Sequence, residues 1–221
     1  MIITIDGPAS AGKGTLAQKL SQKYNLAYFD TGMVYRAVGL QLILKNIDPN
    51  NITEAENEAK NLTFSQMMKS AKHPDFRSDI GGKAASVVAT IPQVRAALLK
   101  MQQDFALCPT FADGSSADGA IYDGRDTGTV ICPNADIKLF ITATPEVRAE
   151  RRHKEFLAKG IQKTYSEVLA QIKERDERDE KRASAPLKPA SDAIIFDTSE
   201  FNADEVFEKV CKIIENSKKN S

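Results

Sequence analysis

A lysine within a glycine-rich segment near the start of the chain is the strongest chemical signal in the sequence. The segment follows a short apolar run at 2–5 and precedes an amphipathic helical pattern. Its glycines let the backbone curl so that successive amides point inward, while Lys13 and the helix N-terminus add positive charge. An ordinary glycine-rich turn would not explain a lysine with Thr15 after it. The segment predicts a loop that binds a polyphosphate, formed by Gly7, Pro8, Ala9, Ser10, Ala11, Gly12, Lys13, Gly14 and Thr15.

The spacing inside this loop bears on a metal ion. In the general pattern a Ser or Thr directly follows the lysine, whereas here Gly14 comes before Thr15. The hydroxyl that elsewhere binds Mg²⁺ is displaced by one residue, so phosphates and water are expected to hold most of the Mg²⁺ shell. Asp123, just after a predicted strand, is a candidate to act on Mg²⁺ through water.

A second polar cluster, DGRD at 123–126, follows the same predicted strand. Ligands of open α/β sheets bind beyond the carboxyl ends of the strands. Arg125 there offers a phosphate clamp, and Asp126 offers an acceptor for an exocyclic amine. An ordinary turn is the alternative, because Asp and Gly are common turn residues.

One predicted helix has an apolar first part and a charged second part, and the same residue spacing runs through both. Spacings of three and four residues place one stripe on a single helix face, and the stripe changes from apolar to charged along its length. Buried charge is costly unless it meets opposite charge or an anionic ligand, so we favour a ligand-facing role over surface ion pairs. The residues in phase are Tyr165, Val168, Ile172, Arg175, Asp179 and Arg182.

A further helix is predicted to begin at Pro145, behind Thr144. Arg148 and Arg152 stand four residues apart on it, with Arg151 between them, and they are candidates to close over ATP. A basic, solvated helix face is the alternative interpretation.

Five short apolar runs separated by helical patterns predict an α/β fold with a five-stranded parallel sheet. Two stretches interrupt the alternation, at about 50–80 and 145–190, and movable insertions are expected there. The segment at 112–119 predicts a flexible loop. The buried strands are predicted at 2–5, 26–29, 120–123, 136–142 and 193–197.

Composition narrows the function classes. Thirty basic residues balance thirty acidic ones, so no overall positive charge favours nucleic acid or an anionic membrane as a partner. Cys108, Cys132 and Cys211 have no metal-ligand spacing and indicate inert thiols in a reducing compartment. The chain opens on MIITID, with no basic leader or long apolar run, so the cytoplasm is the expected location.

The ordered set of motifs resembles bacterial cytidylate kinases through most of the chain. The motifs are GPASAGKGT, TGMVYR, the AAS at 84–86, IPQVR, DGRDTGT and IKERDERDEKRASAPL. The resemblance implies a P-loop NTPase core with an insertion that binds the nucleoside monophosphate and with a lid. It also implies ATP as phosphoryl donor, Mg²⁺, CMP or dCMP as acceptor, and a monomer.

The resemblance also implies residue roles. Arg36, Arg125 and Arg182 would hold the acceptor phosphate and, with Lys13, carry catalysis. Arg175 and Asp179 would meet the sugar, and base reading would fall to Ser86, Arg95 and Asp126. Cytosine's amino group donates where uracil's carbonyl accepts, so a carboxylate and a hydroxyl favour cytosine.

On this interpretation residues 1–221 form a single kinase domain. Its core would be about 1–48, 82–144 and 183–221, with the acceptor-binding insertion at about 49–81 and the lid at about 145–182.

Two departures from the family pattern stand out. Thr31, in the acceptor site, replaces the family's frequent Ser, and the 60–80 segment looks less regular than the small sheet usual there.

Three alternatives remain. A P-loop kinase with another acceptor, such as UMP, AMP or shikimate, would share the core, and acceptor assays would separate it. A P-loop switch would need a guanine-reading NKxD motif, which the sequence lacks. A nucleic-acid-binding protein is disfavoured by the neutral charge.

Overall fold

A computed structural model describes residues 1–219 of the chain. It divides into two compact units. The sheet unit comprises Met1–Phe29 and the chain from Pro109 onward, and the helical unit comprises Asp30–Cys108. Among the described residues, no helix combines the length and the apolar character needed to cross a bilayer.

Five strands and nine α-helices are described, with a run of five α-helices between the second strand and the third. The strands are β1 (Ile2–Asp6), β2 (Ala27–Asp30), β3 (Ala120–Gly124), β4 (Ile137–Thr142) and β5 (Ile194–Asp197). The helices are α1 (Lys13–Tyr24), α2 (Gly32–Leu44), α3 (Ile52–Asn61), α4 (Phe64–Ser70), α5 (Asp79–Val88), α6 (Pro92–Leu107), α7 (Pro145–Ala158), α8 (Tyr165–Lys181) and α9 (Ala203–Lys219).

The sheet has the order β2-β3-β1-β4-β5, with β1 parallel to both β3 and β4, and β4 parallel to β5. The predicted parallel α/β sheet is confirmed, and each strand lies within one or two residues of its predicted range. Asp6 pairs in register with Gly124. The loops that follow β1 and β3 therefore leave the sheet at the same edge and side by side.

The core of the sheet unit lies between the sheet and two helices. Ile3 and Ile5 of β1 are fully buried, as β1 has a neighbour on each side and helices cover its apolar side chains. Leu20 of α1 and Val210 of α9 pack into the same cluster. Since burial of a large aliphatic side chain contributes about 1.5–3 kcal/mol, this cluster holds rigid the strand that carries the phosphate loop.

The last strand departs from its predicted burial. β5 is the edge of the sheet, and Ile195 is 61% exposed. An apolar run predicts a buried strand only if both sheet faces are covered, and at this edge both Ile194 and Ile195 are exposed. The strand assignment was right, but the expected burial was wrong.

The segment at 50–80 is helical. An insertion was predicted there, with no helices assigned to it. Asn51 caps α3, and Thr63 forms a capping box with Gln66 at the start of α4. Ser78 caps α5 by accepting a hydrogen bond from the backbone of Gly81. Such caps satisfy the free amides of each first turn, so this stretch forms short helices, a shape that the sequence left open.

Helices α7 and α8 occupy the segment predicted as a lid and share a small core of their own. Ala149, Phe156, Val168 and Ile172 are buried together there. Tyr165 was predicted to lie on the inward stripe, but it is exposed in the first turn of α8 and contacts the ring of His153 edge-on. The inward face thus begins one turn later than expected.

The segment predicted as a flexible loop, 112–119, contains a hydrogen-bonded turn. Thr110 and Ser116 form an isolated antiparallel bridge, and the amide of Phe111 donates to the carbonyl of Ser115 at 2.8 Å. The flexibility of this segment stays a prediction.

Candidate active site

The phosphate loop has the backbone that its glycines predict. Gly7 and Gly12 have φ of 146° and 90°, and Ser10 also lies in the left-handed region at 61°. A Cβ on Gly7 would lie 1.9 Å from the carbonyl oxygen of Ile141, so no other residue fits there. The chain can therefore turn sharply out of β1 and into α1.

Side chains hold three carbonyl oxygens of this loop. The pairs are Lys13 Nζ to Pro8 O at 2.8 Å, Arg148 Nη1 to Ala9 O at 3.3 Å, and Thr198 Oγ1 to Ala11 O at 3.4 Å. Because these carbonyls are already engaged, the curl of the loop is fixed before any ligand arrives. Thr198 follows β5, and its role was missed by sequence reasoning, which placed no function after residue 182.

Lys13 is buried among charges. It is 5% exposed, and its Nζ lies 3.9 Å from Oδ1 of Asp123. Burial, helped by the positive charges of Arg125 and Arg175, lowers the pKa of Lys13 to about 7 against the opposing effect of Asp123. The unliganded site therefore disfavours the protonated, positively charged form of Lys13. An anionic ligand would favour that form again.

Asp123 lies against the loop, as predicted for a residue at the end of β3. Its Oδ2 accepts a hydrogen bond from the hydroxyl of Tyr28 at 3.3 Å. The same oxygen lies 3.3 Å from the place where a Cβ on Gly14 would stand. A carboxylate this close to the phosphate loop is a ligand of the type that Mg²⁺ prefers.

Arg125 and the charged end of α8 form a network. Nε of Arg125 donates to Oδ2 of Asp179 at 2.9 Å, and Nε of Arg175 lies 4.0 Å from the same oxygen. Burial would raise the pKa of Asp179, but the charges of Arg125 and Arg175 outweigh it and lower the pKa. Nε of Arg182 donates to the carbonyl of Ala185 at 2.6 Å.

The charge balance of this network favours an anion. Three guanidinium groups act on the carboxylate of Asp179, and Lys13 nearby faces the carboxylate of Asp123, with Asp6 also acting on the lysine. A ligand-facing role of the helix stripe stays a prediction. The stripe does pair with opposite charge, and it also leaves an excess of positive charge that a ligand could neutralise.

Asp6 connects the phosphate loop to the segment after β3. Its buried carboxylate accepts three hydrogen bonds of 2.8 Å, from the amide and hydroxyl of Thr127 and from the amide of Gly128. Burial raises the pKa of Asp6 against the lowering effect of those bonds. These bonds fix the segment that presents Asp126, itself 3% exposed. Sequence reasoning missed Asp6, although an aspartate at the end of an apolar strand was a signal.

The three arginines of α7 have different surroundings. Arg148 is buried and pairs through both terminal nitrogens with Asp176. Arg151 donates to the hydroxyl and carbonyl of Thr198 at 3.0 and 2.7 Å. Arg152 pairs with Glu155 and lies over the ring of Phe156. Contact of Arg148 or Arg152 with ATP stays a prediction.

Four predicted acceptor residues lie in the helical unit. Thr31 is buried just before α2, and Nη1 of Arg36 donates to the carbonyl of Phe76 at 2.9 Å. Arg95 of α6 donates to the carbonyl of Ala89 and lies over the ring of Tyr35. The last of them, Ser86 of α5, is 9% exposed. Their meeting with the phosphate loop stays a prediction.

Comparison with known proteins identifies the family of the chain. The family profile described as cytidylate kinase matches residues 3–216. The chain belongs to the cytidylate kinase family. Across 213 residues it is 49% identical to the cytidylate kinase of Paramagnetospirillum magneticum (strain ATCC 700264 / AMB-1), covering 96% of this chain and 97% of the relative.

A second cytidylate kinase relative, from Caulobacter sp. (strain K31), is 45% identical over 217 residues and covers 98% of this chain and 95% of its own. Among solved structures, an uncharacterized protein from Eubacterium ventriosum ATCC 27560 superposes with a TM-score of 0.54 at 13% identity. That superposition covers 97% of this chain and 98% of the other, and it supports the fold alone.

Proposed function

We propose that this member of the cytidylate kinase family transfers the γ-phosphoryl group of ATP to CMP or dCMP, giving ADP and CDP or dCDP. The observation that carries the proposal is the grouping of Lys13, Arg125 and Arg175 beside the phosphate loop. A set of cations around a phosphate-binding loop suits a reaction in which two anions must approach each other.

The reaction needs no general base from the protein. An oxygen of the acceptor phosphate, already ionised near neutral pH, attacks the γ-phosphorus, and the bond to the bridging oxygen of ADP breaks. Lys13 and Arg125, with Arg36 and Arg182, would hold the two phosphates in line and offset their repulsion. Catalysis is then a matter of position and charge.

Mg²⁺ is part of the proposal, and the donor set fits it. Asp123 lies against Gly14 and Lys13, where it would act on the ion through water, and phosphates and water would complete the shell. When bound, the ion would supply further positive charge to the phosphates.

Acceptor recognition is proposed for residues of both units. Arg175 and Asp179 would meet the sugar, and Thr31 would lie at the acceptor site. Ser86, Arg95 and Asp126 would read the base, because a carboxylate can accept from the amino group of cytosine. Since a site built to hydrogen-bond one edge leaves buried polar groups unpaired with the wrong base, such reading discriminates strongly.

Segment roles and the working state complete the proposal. Residues of about 49–81 would contribute to acceptor binding, and about 145–182 would form a lid with Arg152 near ATP. We propose a monomer that works in the cytoplasm, where pools of its nucleotide substrates occur. Sedimentation equilibrium would then report a mass near 24.2 kDa.

A coupled assay for ADP release tests the proposed reaction. ATP is held fixed, and CMP, dCMP, UMP and AMP are varied one at a time. CMP and dCMP are expected to give the highest kcat/KM. A higher value with AMP or UMP, or no ADP with any of the four, would contradict the proposed acceptor.

A further inference from the structure

Arg148 forms a buried junction between α8 and the phosphate loop. Its Nη1 and Nη2 donate to the two carboxylate oxygens of Asp176 at 2.9 and 2.7 Å. The same Nη1 donates to the carbonyl of Ala9 at 3.3 Å, and Nε donates to the carbonyl of Ala143 at 2.8 Å. One side chain thus touches α8, the end of β4 and the loop.

This junction leaves the guanidinium little freedom. An arginine has five N–H donors in a rigid planar fork, and four of the directions of this fork are occupied. The side chain of Arg148 is 4% exposed and that of Asp176 is 14% exposed. Such a pair is geometrically fixed, unlike the exposed ion pairs elsewhere on α8.

Asp176 decides the orientation of this fork. Without the carboxylate, Arg148 would be a buried charge lacking its counter-charge, and it would turn toward water or another anion. The hydrogen bond to Ala9 would be lost with that turn, because one nitrogen serves both partners. The curl of the phosphate loop would then lose one of the three donors that fix its carbonyls.

We infer that Asp176 is a positioning residue for the phosphate loop, acting through Arg148. The inference rests on the proposed function in taking ATP as the ligand of the loop. This inference and a direct contact between Arg148 and ATP predict different changes in ATP affinity when Asp176 is removed. If Asp176 positions the loop, its removal weakens ATP binding, whereas if Asp176 only withholds Arg148 from ATP, its removal leaves binding unchanged or stronger.

The test is the dissociation constant of ATP for Asp176→Asn, measured by calorimetry without an acceptor, well below the melting temperature. Coupling free energies between linked sites suggest that binding weakens about tenfold. The matched control is Glu177→Gln, which removes the same charge from the next residue of α8, where Glu177 pairs with exposed Lys181. That control is expected to match wild type. Unchanged or tighter binding by Asp176→Asn would overturn the inference.

A double-mutant cycle separates a shared route from two unrelated effects. Arg148→Lys keeps the charge but loses the planar fork that holds Ala9 and Asp176 in one fixed geometry. If Asp176 acts through Arg148, the double variant binds ATP about as weakly as Arg148→Lys alone. Additive losses would contradict the inference.

Two further measurements distinguish loop positioning from general damage. Hydrogen exchange is expected to rise at amides 9–14 in Asp176→Asn, with the KM for CMP unchanged and the KM for ATP raised. Equal rises in both KM values would indicate a structural effect and overturn the inference. Should Asp176→Asn fail to fold, Asp176→Glu keeps the charged pair and is expected to show a smaller loss of ATP affinity, and wild-type affinity there would count against the inference.

Failure of the proposed function would look different. A wild-type protein that binds ATP but does not phosphorylate CMP would contradict the acceptor, while the ATP measurements would still decide the role of Asp176.

Discussion

Lys13 shows how burial and nearby charge act on a single residue. Its ammonium group is almost fully buried with Arg125 and Arg175 close by, and its pKa falls to about 7 as a result. An unfolded lysine keeps its proton up to about pH 10.5, so this shift reduces the stability of the unliganded fold in full below pH 7. The loss is relieved as the pH rises from about 7 toward 10.5.

Binding of ATP is therefore expected to draw a proton onto Lys13. The phosphates of ATP favour the charged lysine, so binding should take up most of a proton above pH 7 and much less below it. Calorimetry in buffers of different ionisation enthalpy measures this number. Lys13→Arg is the control, because arginine stays protonated throughout and should take up none. Equal uptake by both proteins would contradict the assignment to Lys13.

Asp126 is expected to control the choice between cytosine and uracil. Asp126→Ala should lower the ratio of kcat/KM for CMP to that for UMP by about ten- to hundredfold, which is the value of a hydrogen bond to a charged group. The control is Asp104→Ala, which removes an exposed carboxylate of α6 that pairs with Lys100. If the ratio stays at its wild-type value in Asp126→Ala, the base is read elsewhere.

At the scale of elements, the join between β1 and α1 depends on a single glycine. Gly7→Ala combines a positive φ with a Cβ that would overlap the carbonyl of Ile141. We expect it to lower the free energy of unfolding by more than about 3 kcal/mol and to abolish ATP binding. Urea denaturation and ATP calorimetry measure the two effects.

Gly160→Ala is the control for Gly7→Ala. Gly160 also has a positive φ, of 70°, but a Cβ there would meet nothing within 4 Å. Backbone strain alone should then reduce stability by about 1 kcal/mol with ATP binding unchanged. Similar losses in the two variants would show that backbone strain, without overlap, explains Gly7.

Sequence patterns predicted the elements that depend on local rules. The strands follow from short apolar runs, and the phosphate loop follows from glycines at fixed spacing beside Lys13. Contacts between residues far apart in the chain could not be predicted from these patterns. The partners of Asp6 lie 121 and 122 residues away, and that of Asp176 lies 28 residues away, so no local pattern identifies these partners.

The exposure of side chains on the outermost strand could also not be predicted from the sequence. The exposure of Ile195 depends on β5 being the outermost strand, which the order of strands in the chain does not reveal. The helices at 52–88 depend on caps such as Asn51 and Ser78, which outweighed the low apolar content of that stretch. Local hydrogen bonds there decided the structure against expectation.

At the scale of the whole molecule, the two units differ in how far apart their contacts lie along the chain. The helical unit is one continuous stretch, whereas β1 of the sheet unit pairs with β3 and β4, more than a hundred residues away. Contacts between distant segments form later because closing long loops costs entropy.

Refolding is therefore expected to order the helical unit first. In pulse-labelled hydrogen exchange after dilution from denaturant, amides of α2, α5 and α6 should become protected before those of β1 and β3. Earlier protection of β1, or a single simultaneous phase, would contradict this order.

The separation of β1 from its neighbours has a consequence during synthesis on the ribosome. The strand that will occupy the middle of the sheet emerges long before either neighbour has been translated. Its isoleucines stay unpaired in the nascent chain while the helical unit emerges behind them. Chaperone contact with the growing polypeptide is expected to concentrate on that strand, and to end once β3 and β4 have left the exit tunnel.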